Sequence, residues 1–169
     1  VQAWTFDVQL VAPYRRAVLP AARSVYLNPI PGFYERGDCR NPYGVHNFHG
    51  LEVEIPNVAP WTAETPNLYR LVATVKDASG KTVDVTGHNI GFRNLSWGRD
   101  GFKINGKEVI FYGVNRHDHS AVNGKAVTRA EIREDLRLMK AFNLNALRCS
   151  HYPNDPYLYE LADSIGLYV

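Results

Sequence analysis

The sequence predicts a multidomain chain: an all-β sandwich over residues 1–93, then the first part of a parallel (β/α)8 TIM barrel over residues 94–169. Three observations predict it. Short runs of alternating apolar and polar residues recur about every ten positions through the first part, with turn signals between them, the signature of an antiparallel sandwich. Beyond Thr128, amphipathic helical patterns alternate with short apolar runs, the signature of β/α units. Between the two helical patterns, Ala146-Leu147 breaks into Arg148, Cys149, Ser150 and His151 and stops at Pro153. That reads as a buried strand whose last residues turn polar on leaving the sheet, and in a parallel barrel such strand ends face the ligand.

Composition bounds the function classes. At 45% hydrophobic and 12% aromatic, the chain has enough apolar material for a core. A formal charge of +2, with Lys and Arg scattered along the chain, gives no footprint for nucleic acid or an anionic membrane surface. No apolar run approaches the roughly 18 residues of a membrane helix. Two cysteines, Cys39 and Cys149, are too few for a disulfide framework and suit a reducing, cytoplasmic compartment. The N-terminus, Val1-Gln2-Ala3-Trp4, lacks both Met and a leader pattern.

Taken in order, Trp4, Phe6, Val8 and Leu10 alternate with Thr5, Asp7 and Gln9, the period of a half-buried strand. Residues 12–50 are rich in Pro, Gly, Arg and Tyr and read as long loops with one strand near Ser24-Val25-Tyr26-Leu27. Leu51, Val53 and Ile55 alternate with glutamates as another strand. Pro60-Trp61 and Glu64-Thr65-Pro66-Asn67 mark a turn. Strands follow over residues 68–76 and 81–86, joined by the turn Asp77-Ala78-Ser79-Gly80, and Ile90-Gly91-Phe92-Arg93 closes the module.

The character then changes. Asn105-Gly106 between Lys103-Ile104 and Lys107-Glu108 is a two-residue hairpin signal. An apolar strand is expected over residues 109–114, ending in Asn115-Arg116-His117-Asp118-His119. Thr128 and Glu131 form a capping box, and Ile132, Leu136, Met139 and Phe142 make the buried stripe of a helix that stops at Asn143. After the strand through Leu147, Asp155-Pro156 starts a second helix. Its stripe is Leu158, Leu161, Ala162 and Ile165, and Gly166 ends it. Leu167-Tyr168-Val169 opens a third strand. A barrel takes about 250 residues, so the chain is expected to be a fragment.

His117 ends the first barrel-type strand; Arg148 and His151 end the second. Neighbouring parallel strands lie about 5 Å apart, so the two imidazoles are expected to share one pocket, as donors to a sugar's hydroxyls. Two other readings compete. Three imidazoles (His117, His119, His151) invite a metal, but their spacing matches no closed zinc pattern. Cys149 would be a nucleophile if His151, two residues on, served as its base. Arg148 either pairs structurally with a carboxylate or holds a nucleophilic carboxylate anionic, the same physics in both cases.

Leu147-Arg148-Cys149-Ser150-His151-Tyr152-Pro153, followed by Asp163 and Gly166-Leu167-Tyr168-Val169, resembles the signature of glycoside hydrolase family two. Gly113-Val114-Asn115-Arg116-His117-Asp118-His119 is similar to the family's β-galactosidase branch. The β-glucuronidase branch usually has Lys at the place of Arg116 and Thr-Ser-His for Cys149-Ser150-His151. Trp61 through Tyr69 and Gly91-Phe92-Arg93 resemble the immunoglobulin-like domain that precedes the family's barrel. Residues 51–169 carry the likeness well, residues 1–50 loosely, and residues 29–44 look like an insertion.

The resemblance implies a retaining hydrolysis of terminal β-D-galactosides such as lactose, by two carboxylates roughly 5 Å apart. It assigns galactose-hydroxyl contacts to His117 and His151 and support of the nucleophile to Arg148. The acid/base, the nucleophile and the ligands of Mg2+ (with Na+) are expected beyond Val169. The chain alone is therefore expected to be inactive, with no catalytic carboxylate and no metal ligand of its own. Its expected partners are a β-galactoside, the rest of its own polypeptide and, when full-length, identical copies in a homo-oligomer. Two alternatives are a standalone carbohydrate-binding or docking module using the loop aromatics Tyr14, Tyr26, Phe33, Tyr34 and Tyr43, and β-glucuronidase or β-mannosidase specificity.

Overall fold

The computed structural model describes residues 5–12, 15–18, 22–26 and 55–169. The expected strand at Leu51 and Val53, Cys39, and the loop aromatics Tyr14, Phe33, Tyr34 and Tyr43 lie outside them. The chain packs as two units that are not contiguous in sequence: Val1–Asn57 with Tyr69–Ile90, and Val58–Leu68 with Gly91–Val169. Among the described residues no helix is long and apolar enough to cross a membrane.

The first unit is a five-stranded antiparallel sheet. Its centre is β1 (Thr5–Ala12) and β4 (Tyr69–Lys76), in register from Thr5↔Lys76 to Val11↔Arg70. Alternation does what period two requires: Leu10, Tyr69 and Ala73 are buried while Gln9 and Arg70 are exposed. The other edge of β1 takes β2 (Arg15–Val18) near its end and β3 (Ala22–Tyr26) near its start. The sequence hid β2, because Arg15-Arg16 carries no alternation; it pairs through the backbone, Val18 opposite Val11. β5 (Thr82–Ile90) runs past the predicted Thr86, since β4 offers partners as far as Tyr69↔Ile90. The intervening turn is held by Asp77, whose carboxylate accepts from Ser79 Oγ at 2.6 Å, Ser79 N at 2.9 Å and Lys81 N at 3.1 Å. Within the first unit the described residues form this one sheet.

The second unit begins with a meander: β6 (Leu95–Gly98), β7 (Gly101–Ile104) and β8 (Lys107–Glu108). Asn105 and Gly106 turn it with φ of 52° and 77°, the pair of left-handed residues that a type I′ turn demands. Next come β9 (Gly113–Arg116), α1 (Arg129–Ala141), β10 (Ala146–Cys149) and α2 (Pro156–Ile165). β9 and β10 pair in parallel, Ala146↔Gly113 through Cys149↔Arg116, and Tyr168 bridges β10 on its other side. This is the β/α succession that the sequence predicts, without barrel closure among the described residues.

The strand predicted over residues 109–114 instead starts and ends later, at Gly113–Arg116, because backbone groups before Gly113 bond elsewhere. Asn145 Nδ2 donates to the Ile110 carbonyl and Asn145 Oδ1 accepts from Tyr112 N, so one side chain stands in for a ladder. Both helix starts are as read. Thr128 Oγ1 accepts from Glu131 N, Thr128 N donates to Glu131, and Asp155 accepts from Tyr157 N. Phe142 departs from the expected stripe and is 76% exposed. It is the C-cap, where the helical turn is already lost, so the buried face ends at Met139.

Ile132, Leu136 and Met139 of α1, Leu147 of β10, Leu158 and Ala162 of α2, and Leu167 form one core. A second cluster joins Trp61, Ala63, Ile104, Ala146 and Tyr168. Trp61 is 2% exposed, its indole N–H donates to the Asp163 carbonyl at 2.8 Å, and its ring meets Tyr168 edge-on at 5.5 Å. The turn predicted at Trp61 thus packs inside the second unit.

Candidate functional site

The parallel pair sorts its side chains by parity. Leu147 and Cys149 face the helices, where both pack on the apolar core. Ala146 and Arg148 face the other way, each opposite its register partner, Gly113 and Asn115. Approach here is close: a Cβ on Gly113 would lie 2.4 Å from the Ala146 carbonyl oxygen. A cavity of about 440 Å³ opens on this face, with Phe111, Gly113, Asn115, Ala146, Arg148 and Tyr168 in its lining.

His117 and His151 come together just past the C-terminal ends of β9 and β10. Their ring centroids are 5.8 Å apart with planes at 88°, and the Tyr152 ring lies 6.1 Å from His117. Both imidazoles are exposed, so their nitrogens are open to a ligand. Arg148 leaves the same end of the pair, and its guanidinium reaches Asn115 Oδ1 at 3.4 Å. The peptide between Ser150 and His151 is cis.

Cys149 does not join them. Its side chain packs toward α1 and α2 while the His151 ring faces His117, so thiol and imidazole serve different surfaces. Among the described residues no three His, Cys, Asp or Glu side chains converge as a metal site.

Sequence reasoning missed several contributors. Asn115 becomes visible only through the register that sets it opposite Arg148. Asp118 ion-pairs with Arg116 at 2.5 Å and accepts from Asn154 Nδ2 at 3.0 Å. Arg116 also reaches Asp135 of α1 at 3.0 Å and is itself buried. Asp155 is committed to capping α2. Both strand-end acids are thus engaged locally.

Two family models match the chain: "Glycosyl hydrolases family 2" over residues 33–93 and "Glycosyl hydrolases family 2, TIM barrel domain" over residues 98–169. The chain belongs to glycosyl hydrolase family 2. Among family 2 relatives, it is 50% identical to a β-galactosidase of Pseudoalteromonas haloplanktis over 117 residues, which is 69% of this chain and 11% of that protein. It is 48% identical to a β-galactosidase of Alteromonas mediterranea over 122 residues, 72% of this chain and 12% of that one. The family 2 chain therefore spans about a tenth of the length of the curated relatives it matches. A solved β-glucuronidase of Bacteroides uniformis superposes with a TM-score of 0.79 at 27% identity, covering 98% of this chain and 18% of its own.

Proposed function

We propose that the full-length protein is a retaining glycoside hydrolase of terminal β-D-galactosides, to which this chain contributes part of the sugar site. His117 and His151 donate to hexose hydroxyls, in contacts that strengthen as the ring flattens toward the oxocarbenium-like transition state. Arg148 holds the nucleophilic carboxylate in its charged form, a guanidinium lowering the pKa of an adjacent acid. The acid/base, the nucleophile and any magnesium ligands come from the rest of the polypeptide, since Asp118 and Asp155 are taken up locally. The first unit, an antiparallel sheet in the described residues, belongs to an immunoglobulin-like sandwich in this reading.

The observation that carries it is the pair of exposed imidazoles 5.8 Å apart at two parallel strand ends. The β-galactosidases at 42–50% identity supply the substrate class. The test is a comparison of chromogenic β-galactoside and β-glucuronide as substrates of the full-length protein. Preferential turnover of the galactoside is expected. A preference for the glucuronide would instead support the second reading, β-glucuronidase specificity, which the Bacteroides uniformis structure favours.

A further inference from the structure

The two imidazoles are exposed, but the residues on either side of each are anchored. Arg116 precedes His117 with its side chain 4% exposed, held by Asp135 through Nε and by Asp118 through Nη1. Asp118 follows His117 and is gripped on both oxygens, by Arg116 and by Asn154 Nδ2. Around His151, Ser150 is 1% exposed and its N–H donates to the Arg116 carbonyl at 2.9 Å. Tyr152 accepts from the Asp118 N–H at 2.9 Å through its hydroxyl. Each imidazole thus sits between two fixed neighbours, and three hydrogen bonds stitch the segment 116–118 to the segment 150–154.

We propose that Arg116 and Asp118 are positioning residues that set the separation and orientation of His117 and His151, an inference that rests on the sugar-site reading of those imidazoles. A purely stabilising role explains the cluster poorly. Buried ion pairs are weak stabilisers beside an apolar replacement, and this one leaves Arg116 Nη2 and Asn154 Oδ1 buried without a hydrogen-bond partner among the described residues. What the cluster does supply is registry. The bonds run between the two strand ends and so fix one imidazole against the other before any ligand arrives.

The experiment uses the full-length protein and whichever of the two chromogenic glycosides it cleaves. Asp118→Asn keeps the side chain's size and removes its charge; Tyr152→Phe removes the acceptor of the Asp118 N–H while leaving the ring in place. A misplaced group costs up to roughly 100-fold in rate, and Asp118→Asn is expected to lower kcat/KM by roughly 10- to 100-fold, chiefly through kcat, with Asp118→Glu recovering part of the loss. Combined with His117→Ala, its effect should largely disappear, because residues acting as a unit are not additive. Losses that multiply in the double variant would show Asp118 acting apart from His117 and overturn the inference. Wild-type kinetics in both Asp118→Asn and Tyr152→Phe, with His117→Ala impaired, would overturn it and leave the sugar-site reading standing. Wild-type kinetics in His117→Ala would remove both. If Asp118→Asn does not fold, Tyr152→Phe alone decides.

Discussion

Replacing either imidazole with a methyl group measures how much transition-state binding passes through it. In the full-length protein, His117→Ala and His151→Ala should each weaken kcat/KM by about 2–4 kcal/mol, the scale for losing one preorganised donor. Arg148→Ala should depress kcat well beyond any change in thermal stability, because its side chain is exposed and its contact with Asn115 is long. Gly113→Ala is the opposite case. A Cβ 2.4 Å from the Ala146 carbonyl oxygen must push the two strands apart, so stability should fall by about 1–3 kcal/mol or more, read as a lower unfolding temperature. The meeting of His117 and His151 was legible at this scale where polar residues ended an apolar run. Asp118 and Asn115 were not, because their meaning lies in partners on another strand.

At the scale of elements, the helices were the most legible part, since caps and stripes are local. Thr128→Ala should loosen the first turn of α1 by about 1 kcal/mol, seen as faster exchange of its amides. The Ser120 hydroxyl, then the Thr128 amide and hydroxyl, hold the Glu131 carboxyl below its ordinary value. Its folded pKa is depressed, so its share of stability is present above the unfolded value, about 4.3, and is lost as pH falls through the folded one. The exchange difference between Thr128→Ala and wild type should therefore shrink in acid. The strands were harder. The Asn105-Gly106 hairpin was legible because its turn chemistry is local, whereas β2 and the shifted β9 depend on which backbone groups find a partner across the sheet. Asn145, a single side chain bonding Ile110 and Tyr112, decided where β9 begins.

For the whole molecule, the long motifs around Arg116 and Arg148 were enough to place the family, as the matching family models bear out. The specificity within it rests on the full-length protein. Assayed alone, this chain should show no turnover of a chromogenic β-galactoside above background, because its strand-end acids are engaged in an ion pair and a cap. Measurable turnover would overturn that expectation. What the sequence could not reveal was the discontinuity of the two units. A turn at Trp61 looks local, and only packing shows it bound to residues a hundred positions away.

That discontinuity constrains how the protein can be recombined. Trp61 is roofed by Tyr168, bonded to Asp163 and backed by Phe92, whose carbonyl accepts the Trp61 N–H. A hybrid built by exchanging everything upstream of residue 94 with a distant relative would import a foreign tryptophan turn into a native socket. Crossovers at Asn57/Val58, Leu68/Tyr69 and Ile90/Gly91 instead carry the plug and its socket from one parent, and such hybrids should express in soluble form where the single-junction version precipitates.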